Sequence, residues 1–156
     1  MESLKNQNQW NKVAEVELIY KTKIKASDRP RIGTSKDAAE LLMELWNENK
    51  IEFVEQFKVI LMNKANRVLG IYELSTGGVS STVVDPKLVF IAALKANACN
   101  IILSHNHPAG SLKPSRQDEE LTHKIKEAGK FLDIQVSDHI IVTSEGYFSF
   151  ADEGLL

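Results

Sequence analysis

The sequence predicts an α/β fold, a mixed central sheet flanked by helices, on two observations. Short apolar runs rich in branched residues alternate with stretches whose apolar residues recur every three or four positions, the pattern of strands alternating with amphipathic helices. A polar break between two of those runs, Asn63-Lys64-Ala65-Asn66, reads as a hairpin connection, so the sheet is not purely parallel.

Taken in order, residues 1 to about 12 are polar and are expected to be loosely ordered. Residues 13–156 then form a single domain of ordinary length. Val13 to Lys25 has strand character, with Ile19 and Ile24 among branched and aromatic residues, and Lys21, Lys23 and Lys25 would share one strand face. Ser27-Asp28-Arg29-Pro30 breaks that pattern. A helix follows, with Ser35 as N-cap and Ala38, Leu41, Leu42, Leu45 and Trp46 at helical spacing. Phe57 to Met62 is an apolar strand, paired through the hairpin with Arg67 to Leu74. Gly77-Gly78 turns the chain into a short strand over Val79 to Val84.

Asp85-Pro86 is a strong helix start, cap followed by a proline at the first helical position, and the helix runs to about Ala98. Asn100 to Ser104 is a short apolar strand leading directly into His105. A loop with Pro108, Gly110 and Pro114 precedes a helix beginning near Ser115, whose inward stripe is Leu121, Ile125, Ala128 and Leu132. Two further strands, Ile134 to Val136 and Ile140 to Thr143, close the chain.

Composition narrows the function classes. Nineteen basic against twenty-one acidic side chains give a net charge of −2, unlike the clearly basic balance of a nucleic-acid-binding domain. The start, MESLKNQNQW, lacks the apolar stretch of a secretory leader. No apolar run is long enough to cross a bilayer, so no membrane association is expected. The single cysteine, Cys99, permits no intrachain disulfide and reads as a small core hydrophobe. The expectation is a cytoplasmic protein.

The segment His105-Asn106-His107-Pro108, followed by Ser115 and Asp118, is where the sequence becomes chemically specific. Two histidines at i and i+2, just past a buried strand, can aim both imidazoles into one pocket. Asp118 lies three residues before Leu121 and therefore points inward. A buried carboxylate needs a partner, and two imidazoles holding a divalent cation provide one. Three N/O ligands leave a fourth tetrahedral position for water, the arrangement of a catalytic zinc. Ser115 with an acid three residues on is also a capping signature, compatible with a catalytic role.

The spacing His105-x-His107, seven residues, Ser115, two residues, Asp118 resembles the JAMM motif of the JAB/MPN metallopeptidases without a gap. The runs Asn100 to Gly110, Pro114 to Asp118, Asp138 to Val142 and Glu55 to Asn63 resemble the RadC branch of that family, over roughly residues 30–156. The resemblance implies a three-layer α/β/α fold related to cytidine deaminases, Zn2+ as cofactor and hydrolysis of peptide or isopeptide bonds. It makes His105, His107 and Asp118 the metal ligands and Ser115 the side chain that steadies the oxyanion. The general-base glutamate falls on Glu55, with Glu52 as the fallback. The RadC branch commonly carries an N-terminal helix-hairpin-helix region associated with DNA, and this chain is expected to be a short form without it.

Other readings attach to the remaining residues. His139, beside Asp138, supports the site or is a satisfied core histidine. His123 lies opposite the Leu121 stripe and is expected to be exposed. Lys21, Lys23, Lys25, Arg29 and Arg31 read as a solvated edge strand, with nucleic acid as the lesser reading. From a different class comes the alternative of a non-catalytic zinc-containing binding module in DNA repair or mobile-element biology. A nucleoside deaminase is excluded, because its later Pro-Cys-x-x-Cys needs more than one cysteine. A His-x-His-x-Asp dinuclear hydrolase would need Asp where Ala109 stands.

Overall fold

A computed structural model describes residues 12–17, 19–78 and 83–156 of the 156-residue chain. Three helices, α1 (Ser35–Leu45), α2 (Pro86–Lys95) and α3 (Arg116–Phe131), flank strands β1 (Gln56–Met62), β2 (Val68–Thr76), β3 (Asn100–Asn106), β4 (Gln135–Val142) and β5 (Tyr147–Ser149). The strand order is β2-β1-β3-β4-β5. Strand β1 is antiparallel to both β2 and β3, β3 and β4 run parallel, and β5 returns antiparallel to β4. The sheet is therefore mixed, as the hairpin signal predicts.

Both faces of the sheet are covered, which explains why every residue of β1 is buried. Phe57, Val59 and Leu61 pack with Val89, Phe90 and Ala93 of α2 and Ile125 of α3. Ile60 and Met62 face the other way, against Ala38, Leu42 and Trp46 from α1 and its C-cap. The result is three layers, with α1 on one side and α2 and α3 on the other. Gly129 lets the C-terminal end of α3 close against the start of β4, since a Cβ there would sit 2.4 Å from the Ile134 carbonyl oxygen.

Several expectations need correction. The N-cap of α1 is Thr34 rather than Ser35, because the acid that completes the capping box, Asp37, lies three residues beyond Thr34. Helix α2 ends at Lys95, with Ala96 as its C-cap and Asn97 in the left-handed region at φ 54°. The strands expected at Ile134–Val136 and Ile140–Thr143 are one continuous strand, β4, and β5 follows it. Polar Ser137, Asp138 and His139 hide that continuity in the sequence, yet Asp138 accepts from the Ser149 hydroxyl at 2.6 Å and the Ala151 amide at 3.0 Å.

Val13 to Lys25 carries no strand among its described residues. Val13 and Ile19 would face one side of a strand and Val16 and Ile24 the other, so neither face gains enough burial to anchor it. All four are at least half exposed. Lys21, Lys23 and Lys25 are exposed without an edge strand beneath them. The loosely ordered start falls almost wholly on residues 1–11, outside the described residues, as do residues 79–82 of the strand expected at Val79–Val84; Val83 and Val84 carry no strand. Cys99 is exposed, not core. Its backbone amide and carbonyl pair with Met62 and Gln135, while the side chain faces outward beyond buried Ala98. No helix among the described residues is long and apolar enough to cross a membrane.

Candidate metal centre

The centre forms where β3 ends. Phe57 of β1 and Ile141 of β4 stand opposite His105 in the two ladders, and His105 is only 1% exposed. The Phe57 ring lies parallel to the His105 imidazole, centroids 6.1 Å apart. Asn106 then ties the strand end to the segment before β1. Its amide donates to the Ile51 and Val54 carbonyls at 2.8 and 2.9 Å, and its side-chain oxygen accepts from the Gln56 amide at 2.7 Å. His107 has left the strand; its amide donates to Val142 at 3.1 Å and its Nδ1 contacts the Ser111 carbonyl at 2.7 Å. Gly110, at φ 87°, supplies the left-handed residue that the turn requires.

Asp118 enters from the first turn of α3. The Ser115 hydroxyl caps the helix by accepting from the Asp118 amide at 3.1 Å, and Asp118 Oδ2 accepts from the Ser115 amide at 2.7 Å. This reciprocal box fixes the carboxylate where the two histidines arrive. His105 Nε2 lies 2.9 Å from His107 Nε2. Asp118 Oδ1 is 3.3 Å from His105 Nε2, and Oδ2 is 3.4 Å from His107 Nε2. His105, His107 and Asp118 are thus brought together as a group that could hold a metal ion.

The donor set suits such an ion. A carbonyl only accepts, so His107 Nδ1 carries the proton given to Ser111, and a neutral His107 turns a lone pair on Nε2 toward the cluster. Electron-rich atoms this close need positive charge among them. The two imidazole nitrogens stand 2.9 Å apart and each lies 3.3–3.4 Å from a different Asp118 oxygen, close to the roughly 3.4 Å edge of a tetrahedron with about 2.1 Å metal–ligand bonds. Two imidazole nitrogens and one carboxylate oxygen form a donor set suited to zinc.

The carboxylate and the imidazoles also act on one another electrostatically. Burial pushes the Asp118 carboxyl up, but the neighbouring His105 and His107 imidazoles and the Ser115 amide together outweigh it. They hold the group well below the usual carboxylate range. His107 is raised above the ordinary histidine value, chiefly by Asp118 and against its own burial, with the Ser111 carbonyl and the charge of Glu55 adding to the rise.

Glu55 is therefore near enough to influence His107. It sits just before β1, half-buried, with its amide donating to Gly78 at 3.2 Å and its carbonyl accepting from Gly77 at 2.8 Å. Glu52 is exposed, and its carboxylate accepts from the Ser144 hydroxyl at 2.6 Å. His123 is exposed.

His139, for which the sequence offers two readings, is fully buried and touches the cluster. Its Nε2 lies 2.8 Å from His105 Nδ1, and its Nδ1 lies 2.6 Å from the Thr122 hydroxyl. Sequence reasoning missed Thr122 and Asn106. Thr122 sits one turn beyond Asp118, a spacing visible in the sequence, whereas Asn106 is marked only by standing between the two histidines.

A three-layer mixed sheet with two histidines at a strand end and an aspartate at the next helix start defines a JAB-type protein. The family model described as RadC-like JAB domain matches residues 32–155. The chain belongs to the RadC-like JAB family. Among similar proteins, one described as a UPF0758 protein from Flavobacterium johnsoniae is 42% identical over 125 residues, covering 80% of this chain and 53% of that protein. Another UPF0758 protein, from Clostridium kluyveri, is 38% identical over 144 residues, covering 92% of this chain and 61% of its own length. A third, from Porphyromonas gingivalis, is 44% identical over 103 residues, covering 65% of this chain and 45% of its own length. The chain thus spans about half the length of the curated relatives it matches.

Proposed function

We propose that this protein is a zinc-dependent hydrolase acting on peptide or isopeptide bonds. The observation that carries the reading is the convergence of His105 Nε2 and His107 Nε2, 2.9 Å apart, on the Asp118 carboxylate, whose Oδ1 and Oδ2 lie 3.3 and 3.4 Å from them respectively, beside the Glu55 segment. His105, His107 and Asp118 would hold the ion. Zinc bound there supplies Lewis acidity, polarising a carbonyl and lowering the pKa of water toward neutrality.

The other steps belong to the chain's own residues. The Glu55 carboxylate takes a proton from the attacking water and passes it to the leaving amine. The Ser115 oxygen already accepts from the Asp118 amide, so its hydroxyl proton is free to donate to a developing oxyanion. The reciprocal cap holds that hydroxyl beside Asp118, so ligand and oxyanion donor share one helix turn.

The test compares zinc content and cleavage of a peptide and isopeptide library by wild type, His107→Ala and Glu55→Gln. Wild type is expected to hold one zinc per chain. His107→Ala is expected to lose it. Glu55→Gln is expected to keep the metal while its hydrolysis rate falls by about 10²–10⁴-fold. Hydrolysis unchanged by both substitutions would defeat the mechanism. Salt-dependent DNA binding that survives loss of the ligands, without hydrolysis, would support the binding-module reading instead.

A further inference from the structure

We infer that Thr122 and His139 form a hydrogen-bond relay that turns the Nε2 lone pair of His105 toward the metal position, which makes both of them positioning residues. The inference rests on the zinc-site reading above and concerns residues that no part of that mechanism uses.

The direction of each proton follows from one fixed point. Thr122 Oγ1 lies 2.6 Å from the Asp118 carbonyl, which only accepts, so the hydroxyl proton is committed there. The same oxygen is then limited to accepting from His139 Nδ1 at 2.6 Å. His139 Nδ1 therefore carries a proton. The ring is fully buried, stacked on Phe150 at 4.7 Å and edge-on to Phe57 at 5.7 Å. Neutral in that setting, its Nε2 must accept, and the donor 2.8 Å away is His105 Nδ1. With the His105 proton on Nδ1, its Nε2 presents a lone pair to His107 and Asp118.

The opposite arrangement shows what the relay prevents. Were Thr122 to donate to His139, each imidazole proton would move to its other nitrogen, and His105 would point an N–H at the two remaining donors. The Asp118 carbonyl excludes this by holding the hydroxyl. One residue thus supplies a ligand through its side chain and fixes the tautomer of another ligand through its backbone. His107 needs no relay, because the Ser111 carbonyl sets its tautomer directly at 2.7 Å. Hydrogen-bond partners of this kind hold ligand orientation and basicity.

The test measures the zinc dissociation constant of the 156-residue chain by competition with a chromophoric chelator, alongside thermal unfolding of each metal-free variant. Thr122→Val removes the hydroxyl at nearly constant shape, and His139→Leu removes the ring nitrogens. Each is expected to weaken zinc binding by about 10- to 100-fold. The double variant is expected to be no weaker than His139→Leu alone, because the contacts act in series. His139→Gln can accept from His105 and donate to Thr122 through its amide, and is expected to recover most of the affinity. A merely structural histidine would show loss of stability without this rescue.

Wild-type affinity in Thr122→Val, or equal affinities in the Gln and Leu variants, would overturn the relay. If His139→Leu fails to fold, Thr122→Val and His139→Gln still decide the question. The zinc-site reading fails separately, on wild type and His107→Ala binding zinc alike, and takes the relay with it.

Discussion

Lys58 places its ammonium 4.4 Å over the centre of the Trp46 ring and 3.8 Å from a Glu73 carboxylate oxygen, on the α1 face of the sheet. Burial depresses its affinity for a proton; Glu73 opposes this and Lys50 adds to it. A lysine with a lowered folded value costs stability while charged, and the cost is relieved as pH rises through that value toward the ordinary 10.5. Lys58→Met sheds that cost together with the Trp46 and Glu73 contacts, and is expected to gain most on wild type in stability at neutral pH. The gain should shrink as pH approaches 10.5, as denaturant unfolding of both proteins across that range would show. At this scale the sequence is most legible where spacing constrains geometry. His105, His107 and Asp118 are set by a strand end and a first helical turn, both of which leave periodic traces. Cys99 is less legible, because one step along the chain exchanges the buried side for the exposed one, and Ala98 takes the buried place.

Among the elements, α1 shows how a cap outranks periodicity in fixing a boundary. Asp37 Oδ2 accepts from the Gly33 and Thr34 amides at 2.9 and 2.8 Å, and these two bonds hold its carboxyl below the usual value of 3.8. A depressed carboxylate contributes stability that is present above the unfolded value and is lost as pH falls through the folded one. Asp37→Asn is thus expected to be less stable than wild type at pH 7, with the gap closing as the medium is acidified to about pH 2. Urea unfolding at both ends of that range measures it. Strand β4 was harder to read as one piece because Asp138 and His139 look like a break. Only partners distant in sequence, Ser149 and Ala151 for one and His105 and Thr122 for the other, make them tolerable inside a strand. The segment from Val13 to Lys25 shows the converse, with residues of strand-forming type but no face to bury.

For the molecule as a whole, the layered arrangement is legible in the alternation of patterns, while strand order is not, since it depends on which strands meet across the sheet. In the proposed zinc site the ligands would come from β3, the loop after it and α3, which would couple metal occupancy to global stability. With free zinc about a thousandfold above its Kd, chelation is expected to remove about 4 kcal/mol of stability. That lowers Tm by about 8–16 °C at roughly 2–4 °C per kcal/mol. Calorimetry with and without chelator checks this, and His107→Ala should not respond. The three hydrogen bonds of Asn106 carry a different consequence. They weld the Ile51–Val54 turn and the first residue of β1 to the strand that bears His105. The acid at position 55 is accordingly held in step with the strand that carries His105, and in the proposed hydrolase a substrate would meet a base whose distance from the ion was settled at folding.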